Sequence, residues 1–375
     1  LAEAAPALLG EGLAETDLAG LFYTGGTTGA SKGVMLTHRN LIANALNWLA
    51  SVPQTENDRT LVMAPMFHAA GSNGILAAIW QGSLQVPLGT FDPAAVLDLI
   101  EKHRINITLG VPSMLAAMAE EQHANPRDTS SLQVLTHGGS PIATEVIRRS
   151  SSAFPSAQMI EVYGATETSP LATLLGHEET LMDNVLARSC GRAVVGCNIT
   201  VRDADGNELP KGEVGEVLVS GTNIMKGYWN KPEQTAAVLK HGGYWTGDLG
   251  YLDAEGYLFL VDRSKDMIVS GGENVYSTEV EDILYRHPAI LEAAVFGVPD
   301  DKWGEAVHAV VVPRPESPSV DPAELIGFCR EHIGGYKVPK GIDIQHEPLP
   351  KSGPGKVLKR ELRAPFWEGV DRAVN

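Results

Sequence analysis

Tyr23-Thr24-Gly25-Gly26-Thr27-Thr28-Gly29-Ala30-Ser31-Lys32-Gly33 is the stretch whose reading decides the rest of the chain. It follows a short apolar run, Leu18 to Phe22, and precedes a helical pattern from Asn40 to Ala50, so it reads as a loop leaving a strand. Its glycines let the backbone approach a ligand closely. Its threonines and serine add hydroxyl donors, and successive free amides in such a turn form a concave site for an anion, with phosphate the expected guest. Lys32 stands between Ser31 and Gly33, where a Walker A loop needs Gly-Lys-Ser/Thr, so a P-loop kinase is disfavoured. A flexible Gly/Thr linker is the competing meaning, and a lysine among hydroxyls argues against it.

The surrounding composition is that of an ordinary globular protein. At 375 residues the chain suggests two or three domains. Hydrophobic residues make up 43% and charged residues 20%, enough apolar material for a large core. A formal charge of -17 disfavours a general nucleic-acid binder, whose affinity rests on many lysine and arginine contacts with phosphates. No apolar run reaches the roughly 18 residues of a spanning helix. The first twenty residues contain no lysine or arginine, so no signal-peptide start is expected. Cys190, Cys197 and Cys329 have neither metal-ligand nor CxxC spacing and read as packed, reduced thiols of a cytoplasmic protein.

Working outward, helix starts are marked by a cap residue followed by proline at Asp92-Pro93, Ser140-Pro141 and Asp321-Pro322. Short β-type runs lie among them: Leu61 to Ala64, Ile105 to Val111, Leu132 to Thr136 and Gln158 to Val162. This alternation predicts α/β layers with a mainly parallel sheet. From Ile199 to Ser220 the rhythm changes to hairpins, with Asp205-Gly206 as a turn between Ile199-Thr200-Val201 and Val214 to Val219, so a β-rich subdomain is expected there. After Val261 the pattern becomes αβ again, with a capping-box helix start at Ser277-Thr278-Glu279-Val280-Glu281. That last segment is long enough for a small α+β domain.

Six further stretches can carry chemistry. His68, within Pro65-Met66-Phe67-His68-Ala69-Ala70-Gly71, reads by itself as a core-edge histidine first and a ligand contact second. His137-Gly138-Gly139-Ser140-Pro141 closes a strand and opens a helix; it is either a tight turn or a place where free amides meet an anion or a base edge. Tyr163-Gly164-Ala165-Thr166-Glu167-Thr168-Ser169-Pro170 should emerge at the carboxyl end of the sheet, where α/β proteins bind ligands. There Tyr163 could stack on a purine and Glu167 could hold Mg²⁺. Asp248, after Tyr244-Trp245-Thr246-Gly247, can accept hydrogen bonds from ribose hydroxyls or simply cap a turn. Asp262-Arg263-Ser264-Lys265-Asp266 with Gly271-Gly272-Glu273-Asn274 reads as a solvated charge run or a hinge. Pro350-Lys351-Ser352-Gly353-Pro354-Gly355-Lys356 alone reads as a mobile tail.

Taken together and in order, these seven stretches resemble the adenylate-forming superfamily: acyl-CoA synthetases, the adenylation domains of peptide synthetases, and luciferases. The resemblance runs from Leu18 to Leu362. It implies a large multi-layered α/β AMP-binding domain over 1–262 with a β-rich subdomain over about 190–262, and a small mobile α+β lid domain over 263–375. It also implies ATP, Mg²⁺ and coenzyme A. By motif, Thr24, Gly25, Gly26, Thr27, Thr28, Gly29 and Lys32 would grip the triphosphate, and Thr24 and Glu167 would lie near Mg²⁺. Gly139, Ser140, Tyr163, Gly164 and Thr166 would frame the nucleotide, Asp248 and Arg263 would bind ribose, and His68 would sit beside the substrate carboxylate. Lys265 falls at the hinge position, Gly271, Gly272 and Glu273 would line a pantetheine channel, and Lys356 is the adenylation lysine.

The implied reaction is ATP-dependent formation of acyl-AMP and then acyl-CoA from a carboxylic acid, expected to be a fatty acid. An acyl-AMP ligase that loads a carrier protein is the alternative, and a truncated nucleotide- or acyl-binding protein without turnover is another. The partners are small molecules, with a homodimer left open. Family members carry a substantial stretch before the phosphate loop, so the expectation is that this chain lacks an amino-terminal part.

Overall fold

Gln158–Tyr163 is an interior strand of a seven-stranded sheet, and its alternation explains the layering around it. Met159 faces a core built with Leu97, Ile100, Leu115, Met118, Leu135 and Phe154. Ile160 faces the opposite side, with Trp48, Leu49, Ala77 and Leu171. A strand apolar on both faces has to be covered on both, which is the condition for a parallel sheet sandwiched by helices. The computed structural model describes residues 12–24, 31–139, 142, 144–181, 185–317, 319–351 and 357–368.

The sheet runs in the order Leu84–Pro87, Arg59–Val62, Ile107–Gly110, Val134–Gly138, Gln158–Tyr163, Thr173–Leu175 and Arg192–Ala193. The first five strands pair in parallel and the last two antiparallel. Helices Ala69–Gln81, Pro93–His103, Pro112–Ala124 and Thr144–Ala153 make the crossovers. Asp92 caps the second of these, accepting from the Ala95 amide at 2.8 Å, with Pro93 in the first turn. The expected start at Ser140-Pro141 lies outside the described residues, and its helix is described from Thr144.

The opening stretch departs from its expectation. Leu18–Thr24 does lead into it, but the chain returns as a second strand, Lys32–Thr37, antiparallel to the first, so the loop joins a hairpin rather than a strand and a helix. Val34 and Leu36 bury completely on one side of that strand, a two-residue alternation too short to stand out beside the glycine run. The helix then begins at His38, where Thr37 and Asn40 cap each other reciprocally.

The β-rich region is a five-stranded sheet in which Cys197–Arg202, Gly215–Gly221, Gly243–Leu252 and Leu239–Lys240 are neighbours, and Leu258–Arg263 pairs with Gly243–Leu252. Asp205-Gly206 does turn the chain, with Gly206 at φ +88, but within a longer connection than a two-residue hairpin loop. The last sheet sets Ile290–Asp300 against Gly304–Pro313, with Ile268–Ser270, Glu273–Val275 and the parallel Gly341–Ile344 completing it. Helices Ser277–Arg286 and Pro322–His332 pack on it around Val280, Leu284, Val307, Ala309 and Leu325. The capping box expected at Ser277 does not form: Tyr276 is the cap residue, and Ser277 turns its hydroxyl to Asp262 instead. Among the described residues no helix is long and apolar enough to cross a membrane.

Candidate active site

The carboxyl ends of Val134–Gly138 and Gln158–Tyr163 lie side by side, Gly138 opposite Val162. The chain beyond Tyr163 doubles back so tightly that a Cβ on Gly164 would lie 1.7 Å from the Pro170 carbonyl oxygen, so only glycine fits. Asn223, fully buried, holds this turn by donating to the carbonyls of Thr168 (2.7 Å) and Leu171 (2.8 Å), while Ser169 donates back to its carbonyl.

Tyr163 reaches from this turn to the β-rich sheet, where its hydroxyl donates to Asp248 Oδ2 at 2.7 Å. Asp248 is 6% exposed, and its other oxygen lies 2.9 Å from Arg263 Nε, directly across the hairpin of Gly243–Leu252 with Leu258–Arg263. Burial, then the neighbouring Asp248 carboxylate, push the Tyr163 phenol far up, so it remains a donor. The Asp248 carboxylate also keeps the Arg263 guanidinium ionised. Each carboxylate oxygen has a second lone-pair direction, so Asp248 can receive a hydroxyl while fixed by two partners.

A second group forms around Tyr228. Its hydroxyl donates to Glu167 Oε1 at 2.8 Å, and the Lys32 ammonium lies 4.7 Å from its ring centroid. Thr24 faces Lys32 across the hairpin. Tyr228 thereby brings the end of the phosphate-loop candidate to the Glu167 turn, and burial, then the Glu167 carboxylate, push the phenol of buried Tyr244 up. Glu167 is 7% exposed with one oxygen engaged by a neutral donor, which leaves its other carboxylate oxygen for a hard cation that also takes phosphate oxygens. The donor set fits Mg²⁺ in that sense, although no group of three His, Cys, Asp or Glu side chains among the described residues could cage a metal by itself.

His68 is half-buried at the entrance to Ala69–Gln81, its carbonyl accepting from the Gly71 amide. Gly71 lines a small slot of ≈ 40 Å³ of mixed character with Trp48, Gln54, Thr60, Met63 and Leu109. A larger cleft of ≈ 280 Å³, lined by Leu291, Arg314 and His346, involves none of the candidate residues and has no part in the site. Gly139 follows its strand at φ +82°. Thr166 opens the short turn that carries Glu167.

Lys265 follows Arg263 by two positions; burial, together with Arg263 and Arg363, draws its ammonium down to about 8. Gly271, Gly272 and Glu273 form an exposed hairpin tip, with Gly271 against Trp303. Gly25, Gly26, Thr27, Thr28, Gly29, Ser140 and Lys356 lie outside the described residues. Tyr228 and Asn223 escaped the sequence reading; the aromatic after Gly227 was the available signal for Tyr228. Glu161 escaped it too, and His137 entered it only as part of the strand-to-helix turn. They face each other across neighbouring strands, burial raising Glu161 to about 8 and lowering His137 to about 4.

Residues 4–229 match the family described as AMP-binding enzyme, and residues 279–356 match its C-terminal domain. Feruloyl-CoA synthase from Amycolatopsis sp is 40% identical over 354 residues, 93% of this chain and 70% of that protein. A medium/long-chain-fatty-acid–CoA ligase from Mycobacterium tuberculosis is 39% identical, over 95% of this chain and 62% of that protein. Among solved structures, ATP-bound MatB from Rhodopseudomonas palustris superposes with a TM-score of 0.88 at 32% identity, covering 97% of this chain and 71% of its own. o-Succinylbenzoate CoA synthetase from Bacillus subtilis, in complex with its acyl-adenylate, gives 0.85 at 34% identity, covering 93% and 70%.

Proposed function

The chain belongs to the AMP-binding enzyme family, and from that premise we propose that it is an ATP-dependent acid–thiol ligase that makes acyl-AMP and then acyl-CoA. In the first step a carboxylate oxygen bonds to the α-phosphorus of ATP and pyrophosphate leaves. In the second, the thiol sulfur of CoA bonds to the acyl carbon and AMP leaves. The acid is ionised near neutrality, so the first step needs no general base. Its barrier is electrostatic, because one anion approaches another.

The chain's own groups meet that barrier. Lys32 and the hydroxyls of 24–28 hold the triphosphate, and Thr24 with Glu167 hold Mg²⁺, which supplies charge neutralisation at the phosphate oxygens. Gly139, Ser140, Tyr163, Gly164 and Thr166 frame the nucleotide, Asp248 and Arg263 take the ribose, and His68 stands beside the substrate carboxylate. Lys356 neutralises the oxygen between the reacting centres, an effect on the order of 3 kcal/mol for a well-placed donor. Residues 263–375 act as a lid turning about Lys265, which withdraws Lys356 and brings Gly271, Gly272 and Glu273 to the site for the thiol step. We take the acid to be a fatty acid, in keeping with the fatty-acid–CoA ligase among the relatives. The setting is cytoplasmic, in keeping with three free cysteines.

One observation carries this reading: Asp248 is clasped at once by Tyr163 from the sheet and by Arg263 at the foot of the pivot, so one carboxylate links the nucleotide site to the hinge. ATP-bound relatives superpose on this chain end to end, which supports assigning its resting orientation to the first step. The test is pyrophosphate exchange over a panel of fatty and aromatic acids, with AMP release measured with and without CoA. Acid-dependent exchange, and AMP release requiring both acid and CoA, are expected. No exchange with any acid, or turnover with a carrier protein and none with CoA, overturns the proposal.

A further inference from the structure

A largely buried polar cluster spans the pivot beside the nucleotide site, where the Arg263 amide donates to Asp262 Oδ1 at 2.7 Å. Asp262 belongs to Leu258–Arg263, before Lys265; it is 6% exposed and accepts from the Ser277 amide at 2.5 Å and from the Ser277 hydroxyl at 3.1 Å. Ser277 lies after the pivot, at the start of Ser277–Arg286. The Thr278 hydroxyl crosses the same junction to the Val261 carbonyl. Lys359, in the helix Lys359–Arg363, completes the cluster: its ammonium lies 2.7 Å from Glu281 Oε1 and 2.7 Å from the Ser277 hydroxyl oxygen. The Ser277 hydroxyl is thus a relay, accepting from Lys359 while donating to Asp262. Arg363 adds a longer hydrogen bond, 3.5 Å, to the Lys265 carbonyl itself.

Buried ion clusters contribute little net stability, but they admit one arrangement and leave a stranded charge when a partner is removed. Burial works against the Lys359 ammonium, yet Glu281 and Asp262 outweigh it and hold Lys359 above its usual range. Since Asp262 precedes the pivot and Ser277 follows it, turning about Lys265 separates the two. The cluster therefore exists in one orientation only, the same one in which Gly271, Gly272 and Glu273 face solvent. Lys359 also follows Lys356 by three residues in the sequence.

We propose that Lys359 is a positioning residue for acyl-adenylate formation: by bridging Glu281 and Ser277, and through Ser277 Asp262, it latches the carboxyl-terminal unit in the first-step orientation. The latch must open before the thiol step. This rests on the ligase reading above, and the experiment separates the two. Lys359→Met is expected to lower acid-dependent pyrophosphate exchange about tenfold or more, while acyl transfer from supplied acyl-AMP to CoA falls less than about twofold or rises. Lys359→Arg, which keeps the charge, should recover most of the exchange. Equal loss in both half-reactions, or unchanged exchange, overturns the latch.

Because Lys359→Met could fail to fold, the parent chain supplies a second measurement. Hydrogen exchange at the Ser277 amide should be slow with ATP bound and faster with CoA plus a non-reactive acyl-adenylate analogue; equal protection in the two states overturns the latch. If the parent chain shows no pyrophosphate exchange with any acid, the ligase reading fails instead. The hydrogen-exchange comparison then decides the latch by itself.

Discussion

Tyr163 and Asp248, 85 positions apart in the sequence, share a 2.7 Å hydrogen bond that ties the end of the parallel sheet to the β-rich sheet. Hydrogen bonds to a charged group are worth about 1.5–3 kcal/mol. Asp248→Asn, which keeps the shape and removes the charge opposite Arg263, should therefore raise the KM for ATP about ten- to a hundredfold in pyrophosphate exchange. Tyr163→Phe should do less, because Arg263 still holds the carboxylate. An unchanged ATP KM in Asp248→Asn would remove Asp248 from the ribose site.

Lys356→Ala should abolish most pyrophosphate exchange, on the order of a hundredfold for the loss of one well-aimed donor. Transfer of a supplied acyl-AMP to CoA should persist. Exchange at the parent rate would exclude Lys356 from the first step, and loss of both reactions together would point to folding rather than chemistry.

Tyr228→Phe deletes the donor that satisfies Glu167 and leaves a buried carboxylate oxygen without it, at a cost of about 1–3 kcal/mol in urea unfolding. Glu167→Gln should instead spare stability and raise the Mg²⁺ concentration for half-maximal exchange by about tenfold, the loss of one anionic ligand. A magnesium titration that superposes on that of the parent would argue against Glu167 as a ligand.

His137 gives a pH dependence whose sign follows from its burial. Both ring nitrogens are enclosed without a hydrogen-bond partner among the described residues, and burial lowers the imidazole from 6.5 to about 4. Above pH 6.5 folded and unfolded chains are both neutral there, so His137 has no effect. Between pH 6.5 and 4 the unfolded chain takes up a proton that the folded chain refuses, and stability falls by up to about 3 kcal/mol. His137→Leu should remove that part of the acid slope, read as the difference from the parent so that Glu161, which acts in the opposite direction, cancels. Identical slopes in parent and variant would contradict this.

Much of the candidate site is proposed from the sequence because its groups are strung in short local motifs: Thr24 with Lys32, Tyr163 with Glu167, Arg263 with Lys265. The helix starts at Asp92 and Asp321 were equally local, each a side chain reaching an amide two or three residues on. The hairpin at the opening stretch was missed because a six-residue strand carries only two buried side chains of one parity, a weak signal beside so many glycines. Ser277 was misread for a related reason. Its sequence neighbourhood suits a cap, but a buried carboxylate 15 residues earlier competes for the same hydroxyl.

The sequence by itself determined the order of the motifs, the alternation of strand and helix, and the kinds of side chain brought to the chemistry, since each depends on residues within a few positions of one another. The tertiary structure alone decided that Tyr228 joins Lys32 to Glu167, that Asp248 is shared by Tyr163 and Arg263, and that Lys359 closes on Ser277 and Glu281. Most of those partners lie tens of residues or more apart along the chain. Hydrogen bonds and ion pairs of that reach leave no periodicity to read, because they are set by how separate sheets pack and not by any local preference of the backbone.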